Sequence, residues 1–239
     1  WLKLCSCGKI VASISTDLTP FVVTAMAKPD PEKSDFKAMG MGNANLNLVF
    51  PMFQLVFSLP GIIGAGVAFS GMVGKSSATG KAEELAKLSF GPLYLSMMLV
   101  KMCISIALGS LGTHRRASGV NVPDQHVYKV VGGSASGAMV LMDEDGAFGN
   151  FNRAQRGVQN IFEQTFPFAI ETVLSGYVFP WTTAACFGLF AMFRAYGAVL
   201  YAGDRMARMK GNLPAGLASG TISGLVFMSG IYATRLEFK

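Results

Sequence analysis

Arg156, Asn160 and Glu163 stand at i, i+4 and i+7 at the mouth of a long apolar run inside Phe151–Phe168. At 100° per residue they fall at roughly 0°, 40° and 340°, so they form one narrow polar stripe. Such a stripe entering a hydrophobic span must face protein or a water-filled cavity, never lipid. A second set, Arg194, Tyr201 and Arg208, recurs every seven residues along a helix expected over Thr183–Met209. These three fall at roughly 0°, 340° and 320°. Arg205, Arg208 and Lys210 by themselves read equally well as cations that snorkel to the membrane surface. Arg194 does not, because it lies about 21 Å below Arg208 at 1.5 Å per residue. An arginine at that depth costs roughly 2.5–3.5 kcal/mol and needs a partner. Arg156 and Arg208 both sit near the basic membrane face, and Glu171 lies about 22 Å below Arg156. Glu171 is therefore the expected partner of Arg194, leaving Lys101 and Glu163 as the remaining pair of opposite charges.

The elements that must carry these residues are membrane helices. Of the 239 residues, 51% are hydrophobic and only 14% charged, with mean hydropathy +0.42; soluble domains average roughly 25% charged. The formal charge of +6 belongs to the borders of membrane spans, since no basic–aromatic cluster stands on a polar surface; a nucleic-acid partner is not expected. Cys5 and Cys7 are too close for an unstrained bridge, and Cys103 and Cys186 lie in apolar runs. His114 and His126 are too few and too scattered for a metal site.

Trp1 opens the chain, consistent with a removed targeting segment or with numbering that starts later, and residues 1–45 carry no Arg-rich pattern that assigns a compartment. Ile10–Ala27 reads as a surface or amphipathic segment because Asp17 and Pro20 interrupt it, and Lys28–Asn45 as a polar linker. Leu46–Val73 is long enough to span a bilayer and carries no charge, although Pro51 and Pro60 are expected to delay a clean helix until Gly61. Gly66, Ser70 and Gly74 give it a small-residue face. Gly64 and Gly66 only superficially resemble a dinucleotide loop, and Gly74-Lys75-Ser76 a phosphate loop, because Phe69 stands where each motif requires glycine.

After a connector over Lys75–Ser89, spans are expected at Gly91–Leu111, Arg153–Phe179, Thr183–Gly203 and Ala215–Ala233. Turns fall at Pro180–Thr182 and Gly211–Pro214, and a polar loop covers Ala117–Gly149. Arg115, Arg116, Arg153, Arg156, Arg205, Arg208 and Lys210 share one end of these spans, which the positive-inside rule places in the cytosol or its equivalent. The expected fold is an all-α integral membrane protein: a four-helix up-down-up-down bundle over 91–239, with one extra N-terminal transmembrane helix in 46–90 and an extension over 1–45.

The sequence resembles the MAPEG superfamily, and most closely its type 3 microsomal glutathione transferases. Phe151-Asn152, Gln155-Arg156, Gln159-Asn160, Glu163 and Pro167 look like that family's second-helix motif, and Arg194, Tyr201 and Arg208 like its third-helix motif. The likeness covers roughly Gly91–Ile231. It implies a homotrimer with glutathione, as cosubstrate, bound between neighbouring subunits near the cytosolic side. Arg156, Asn160, Glu163, Arg194 and Tyr201 would hold the tripeptide, and Arg208 would be the catalytic cation that lowers the thiol pKa. Arg115 or Arg116 could match the arginines that end the family's first helix. Two positions depart from the pattern: Gln164 stands where an aromatic residue is expected, and Gly197 where a tyrosine is expected.

The resemblance implies a glutathione transferase or peroxidase of an intracellular membrane, acting on lipophilic electrophiles or lipid hydroperoxides that arrive from the bilayer. The alternative is a non-catalytic relative that binds lipid or serves as an accessory subunit among other membrane subunits. The extra span and the long loop favour that alternative. A transporter or channel has little support, because no repeat is visible and the buried charges can be paired.

Overall fold

A computed structural model describes residues 35–70, 77–122, 124–131 and 139–237. Ile10–Ala27, Cys5, Cys7 and Gly74 lie outside them. The chain runs as α1 (Asp35–Ala38), α2 (Leu46–Phe69), α3 (Ser77–Lys87), α4 (Gly91–Ser118), β1 (Tyr128–Val131), β2 (Met139–Met142), α5 (Gly146–Val178), α6 (Pro180–Gly203) and α7 (Met209–Glu237).

Four of these helices, α2, α4, α6 and α7, are long and apolar enough to cross a membrane. The fifth long helix, α5, has 33 residues and packs against α4, α6 and α7, but it carries Arg153, Arg156, Glu163 and Glu171 along its length. Helices α4 to α7 form the expected up-down-up-down bundle. Its aromatic core joins Phe168 of α5 to Phe187 and Phe190 of α6, with ring centroids 5.7 and 4.1 Å apart, and continues into Ala215, Ala218 and Ile222 of α7. Elsewhere the seams are made of small residues, such as Cys103 against Ala191 and Ala195. Lipid is as apolar as the core, so close van der Waals packing rather than water exclusion must hold such helices together.

Element boundaries differ from expectation where prolines and basic residues occur. Helix α2 runs unbroken through Pro51 and Pro60. Pro51, the sixth residue of α2, lies past the first turn, so the helix forgoes the bond its amide would make to the Asn47 carbonyl. Helix α4 continues through His114, Arg115 and Arg116 to a left-handed cap at Gly119, φ 68°. Helix α5 starts at Gly146 rather than Arg153. One residue, Phe179, separates it from α6, whose first position is Pro180; proline is pre-organised for that position and gives up no bond there. The buried Thr183 hydroxyl donates to the Ser175 hydroxyl at 3.0 Å, stapling this hairpin. Helix α6 ends at Gly203, the chain turns over Asp204–Arg208, and α7 takes in the Gly211–Pro214 segment that was expected to be the turn.

The loop over 117–149 contains an antiparallel pairing, Tyr128 opposite Met142 through Val131 opposite Met139, that hydrophobic periodicity did not reveal. Asn152 anchors it. The buried Asn152 amide accepts from Val127 N at 2.8 Å and donates to the carbonyls of Val127 and Asp143, each at 2.8 Å. Asn152→Ala would leave the Val127 amide and the Asp143 carbonyl without this partner, while the Val127 carbonyl keeps its bond from Asp143 N at 2.9 Å. A loss of about 2–4 kcal/mol is expected, read as a lower midpoint in thermal unfolding. The acidic run is tied to bases: Lys129 reaches Asp145 at 2.7 Å and Asp143 at 3.7 Å, and Arg205 reaches Glu144 at 3.9 Å. Hydrogen bonding and charge between Lys129 and Asp145 raise the ammonium pKa and lower that of the carboxyl.

The extra helix α2 docks only at its N-terminal end. Leu46 is fully buried against α4, and a Cβ added at Gly109 would come within 2.5 Å of the Leu46 carbonyl oxygen and 2.9 Å of Asn47 Cα. Arg116 donates from Nη1 to the carbonyls of Met41 and Ala44 at 2.9 and 2.8 Å, fixing the segment that precedes α2. Gly109→Leu should therefore detach α2 while leaving α4 to α7 assembled. Faster proteolysis within 35–69, with an intact bundle fragment, would show this; unchanged protection would contradict the docking. Beyond Pro51, which is also buried, most of α2 is exposed, and a Cβ on Gly66 of the expected small-residue face would meet nothing within 4 Å among the described residues.

Candidate functional site

The two stripes meet at the end of the bundle where the basic residues gather. Helix α5 crosses α6 at Gly157, where a Cβ would stand 3.3 Å from Ala198 Cα. Helix α6 crosses α7 at Gly197 and Gly211, whose backbones touch so closely that a Cβ on Gly211 would collide with Gly197 N and the Phe193 carbonyl oxygen. These glycines allow three helix backbones to converge, and the space they leave is a small polar pocket. Asn160, Arg194, Tyr201, Arg208 and Asn212 line it, with Gly157, Ile161, Gly197 and Ala198. The close α6–α7 crossing also accounts for Gly197 standing where the resemblance leads one to expect tyrosine: helix α7 occupies that side chain's place.

Arg194 is the hub. Its Nη1 donates to Asn212 Oδ1 at 3.0 Å and its Nη2 to the Asn160 carbonyl oxygen at 2.8 Å, while its buried Nε has no hydrogen-bond partner among the described residues. The expected pairing with Glu171 does not occur: Glu171 Oε2 accepts from Ser223 Oγ of α7 at 2.8 Å. Levels in a helical hairpin are set by its junction. Arg194 lies fifteen residues beyond Phe179 and Glu171 only eight before it, so Glu171 lies well short of the level of Arg194. Glu171 also stands about 60° off the stripe, which turns it toward α7. Asn212 was missed because Gly211–Pro214 read as a turn; the asparagine beside Gly211 was the available signal.

Glu163 does not pair with Lys101 either. It meets Arg156 Nη1 at 2.9 Å along the stripe itself, both side chains being about half exposed. An exposed pair of this kind contributes roughly 0–1 kcal/mol, so it can be exchanged for other partners. Arg156 and Glu163 therefore lie beside the pocket and not in it. Burial, and then the nearby Arg156, lower the His126 pKa, which disfavours its charged form.

Arg208 reaches the pocket from the turn rather than from the end of α6. Its guanidinium stacks over the Tyr201 ring at 5.2 Å to the centroid, a cation–π contact. No carboxylate lies within ion-pair distance of Arg194 or Arg208 among the described residues. At the same end Arg115 donates to the Asn121 carbonyl at 2.9 Å and lies over the Phe151 ring, while Arg116 is committed to the α2 segment.

Residues 93–231 match the model of the MAPEG family. The chain belongs to the MAPEG family. The match runs from Leu93 in α4 to Ile231 in α7, so both stripes of this MAPEG protein lie within it and α2 and α3 precede it. No curated protein and no solved structure matches the chain. As an integral membrane protein of this family it exposes to lipid the large apolar side chains on the outside of the bundle.

Proposed function

We infer that this MAPEG protein is a membrane-bound glutathione transferase or peroxidase, acting on lipophilic electrophiles or lipid hydroperoxides. One observation carries the reading: Asn160, Arg194, Tyr201 and Arg208 converge on one pocket, and its two cations have no carboxylate partner among the described residues. Such a pocket suits an anionic ligand, and glutathione brings two carboxylates and an ionisable thiol.

Within one chain the pocket offers only about 10 Å³, the space of roughly one water. The tripeptide must therefore lie mostly on the surface beyond it, which agrees with a site completed by a neighbouring subunit of a homotrimer. Arg156 and Glu163, outside the pocket and joined only by an exposed ion pair, are placed to exchange that pair for the charged ends of the peptide. Arg208, held by the Tyr201 face, supplies the positive charge that favours thiolate over thiol. The thiolate then attacks the electrophile directly, with no covalent bond to the protein. The basic end, and the site with it, faces the cytosol or its equivalent in an intracellular membrane.

Equilibrium binding of glutathione to the purified protein, with Arg208→Ala alongside, tests the reading. Binding that weakens about tenfold or more in the variant is expected. No binding at millimolar glutathione would remove the reading. A non-catalytic accessory subunit is then favoured, because α2 presents an apolar face that nothing among the described residues covers and Arg194 is already held by neutral acceptors.

A further inference from the structure

Lys101 and Glu171 are opposite charges at membrane depth, and among the described residues neither has an ion-pair partner. Lys101 stands on an exposed flank of α4, over the gap between α4 and α5. Glu171 is half-buried on another flank of α5 and accepts a hydrogen bond from Ser223 Oγ of α7. Successive helical residues are turned by about 100°, so Glu171 faces away from the gap that its neighbour Thr172 lines. Lipid suits neither charge, because ionisable residues inside spans face protein or a water-filled space and pair there.

The two charges lie at nearly one depth. A Cβ on Gly176 would come 2.7 Å from Leu93 Cδ2, which sets a common level for α4 and α5. Lys101 lies eight residues from Leu93 and Glu171 five from Gly176, both toward the basic end. At 1.5 Å per residue they stand about 12 and about 7.5 Å above that level. The difference of about 4–5 Å is shorter than a lysine and a glutamate side chain laid end to end. A ring of membrane subunits closes about an axis along the bilayer normal, so every copy keeps the same depth. A residue of one copy therefore meets on the next only residues of its own level, a condition that Lys101 and Glu171 satisfy.

The flank that carries Glu171 is open to a close neighbour. Gly220 and Gly224 stand beside Ser223 on α7, both exposed, and a Cβ on either would meet nothing within 4 Å among the described residues. Glycines four residues apart let a second helix backbone approach, and in lipid such packing is what joins helices.

We propose that a second copy of this chain docks on this flank. Helix α4 of one copy lies along α5 and α7 of the next, and Lys101 of the first pairs with Glu171 of the second. Each copy brings one cation and one carboxylate on different faces, so a closed head-to-tail ring of identical copies pairs every one of them. The contact does not depend on what the polar pocket binds.

The test uses the full chain in detergent micelles without glutathione, and follows dissociation of the assembly on dilution by light scattering. Lys101→Glu and Glu171→Lys each place like charges in the contact and are expected to weaken association about tenfold or more. Both reversals combined in one chain should restore it. Co-expression of the two single variants under different affinity tags should restore it too, the two chains being recovered together, because unlike charges then meet across the contact. Rescue by the double variant but not by the mixture would place the pair within one chain and overturn the proposal. So would a single variant that associates as the unaltered chain does, no rescue in either form, or an unaltered chain that is monomeric.

Discussion

Arg208→Ala is expected to lower kcat/KM for glutathione conjugation by about 10²–10³ while the protein melts at an unchanged temperature. Removal of one group that stabilises a reacting anion typically has an effect of that size. The fold should not register the change, because Arg208 lies in the turn between α6 and α7 and, among the described residues, its guanidinium contacts the Tyr201 face and no carboxylate. The pH profile carries the sign of the effect. A cation beside the glutathione sulfur favours the thiolate and so lowers the thiol pKa; without it, the rate must climb at higher pH. An Arg208→Ala enzyme with a normal profile would show that another group activates the thiol, and Arg194 with its unpartnered Nε would be the next to test.

Gly211→Ala should destabilise the bundle by about 3 kcal/mol or more, the largest effect expected from adding one methyl group anywhere on α7. The new Cβ would collide with Gly197 N and the Phe193 carbonyl oxygen, both backbone atoms that cannot rotate away. Helix α7 must then retreat from α6, which withdraws Asn212 from Arg194 and opens the floor of the polar pocket. Thermal unfolding in detergent gives the measurement, with Gly216→Ala as the control. Gly216 has nothing within 4 Å of a prospective Cβ, so its substitution should change stability by no more than about 1 kcal/mol. Equal melting of the two variants would contradict the close α6–α7 crossing.

The sequence revealed the membrane class, the four-helix bundle and the clustering of basic ends, because hydropathy and the spacing of arginines report these directly. Arg156, Asn160 and Glu163 do share a face. Asn160, Arg194, Tyr201 and Arg208 do come together. The partners of the charges were not legible. Pairing Arg194 with Glu171 assumed that Arg156 and Arg208 lie level and that α6 continues to Met209; with α6 ending at Gly203, counting from Phe179 places Glu171 elsewhere. That count also required knowing that a single residue joins α5 to α6. Pro51, Pro60 and Gly211–Pro214 looked like breaks and lie inside helices; at Pro51, which is buried, and at Gly211, which packs on α6, tertiary contacts outweigh local propensity, whereas Pro60 stands in the exposed part of α2. The β1–β2 pairing escaped notice because, apart from Lys129, its residues are apolar on both faces, leaving no period-two signal.

The most direct measurement is a pH titration of glutathione bound to the purified protein, followed by the ultraviolet absorbance of its thiolate. Free thiols of this kind titrate near pH 8.5. With Arg208 beside the sulfur, the bound thiol should titrate at least about one unit lower, and Arg208→Ala should return it toward the free value. Thiolate absorbance that rises only near the pKa of free glutathione, or that is unchanged by Arg208→Ala, would contradict glutathione activation at this site.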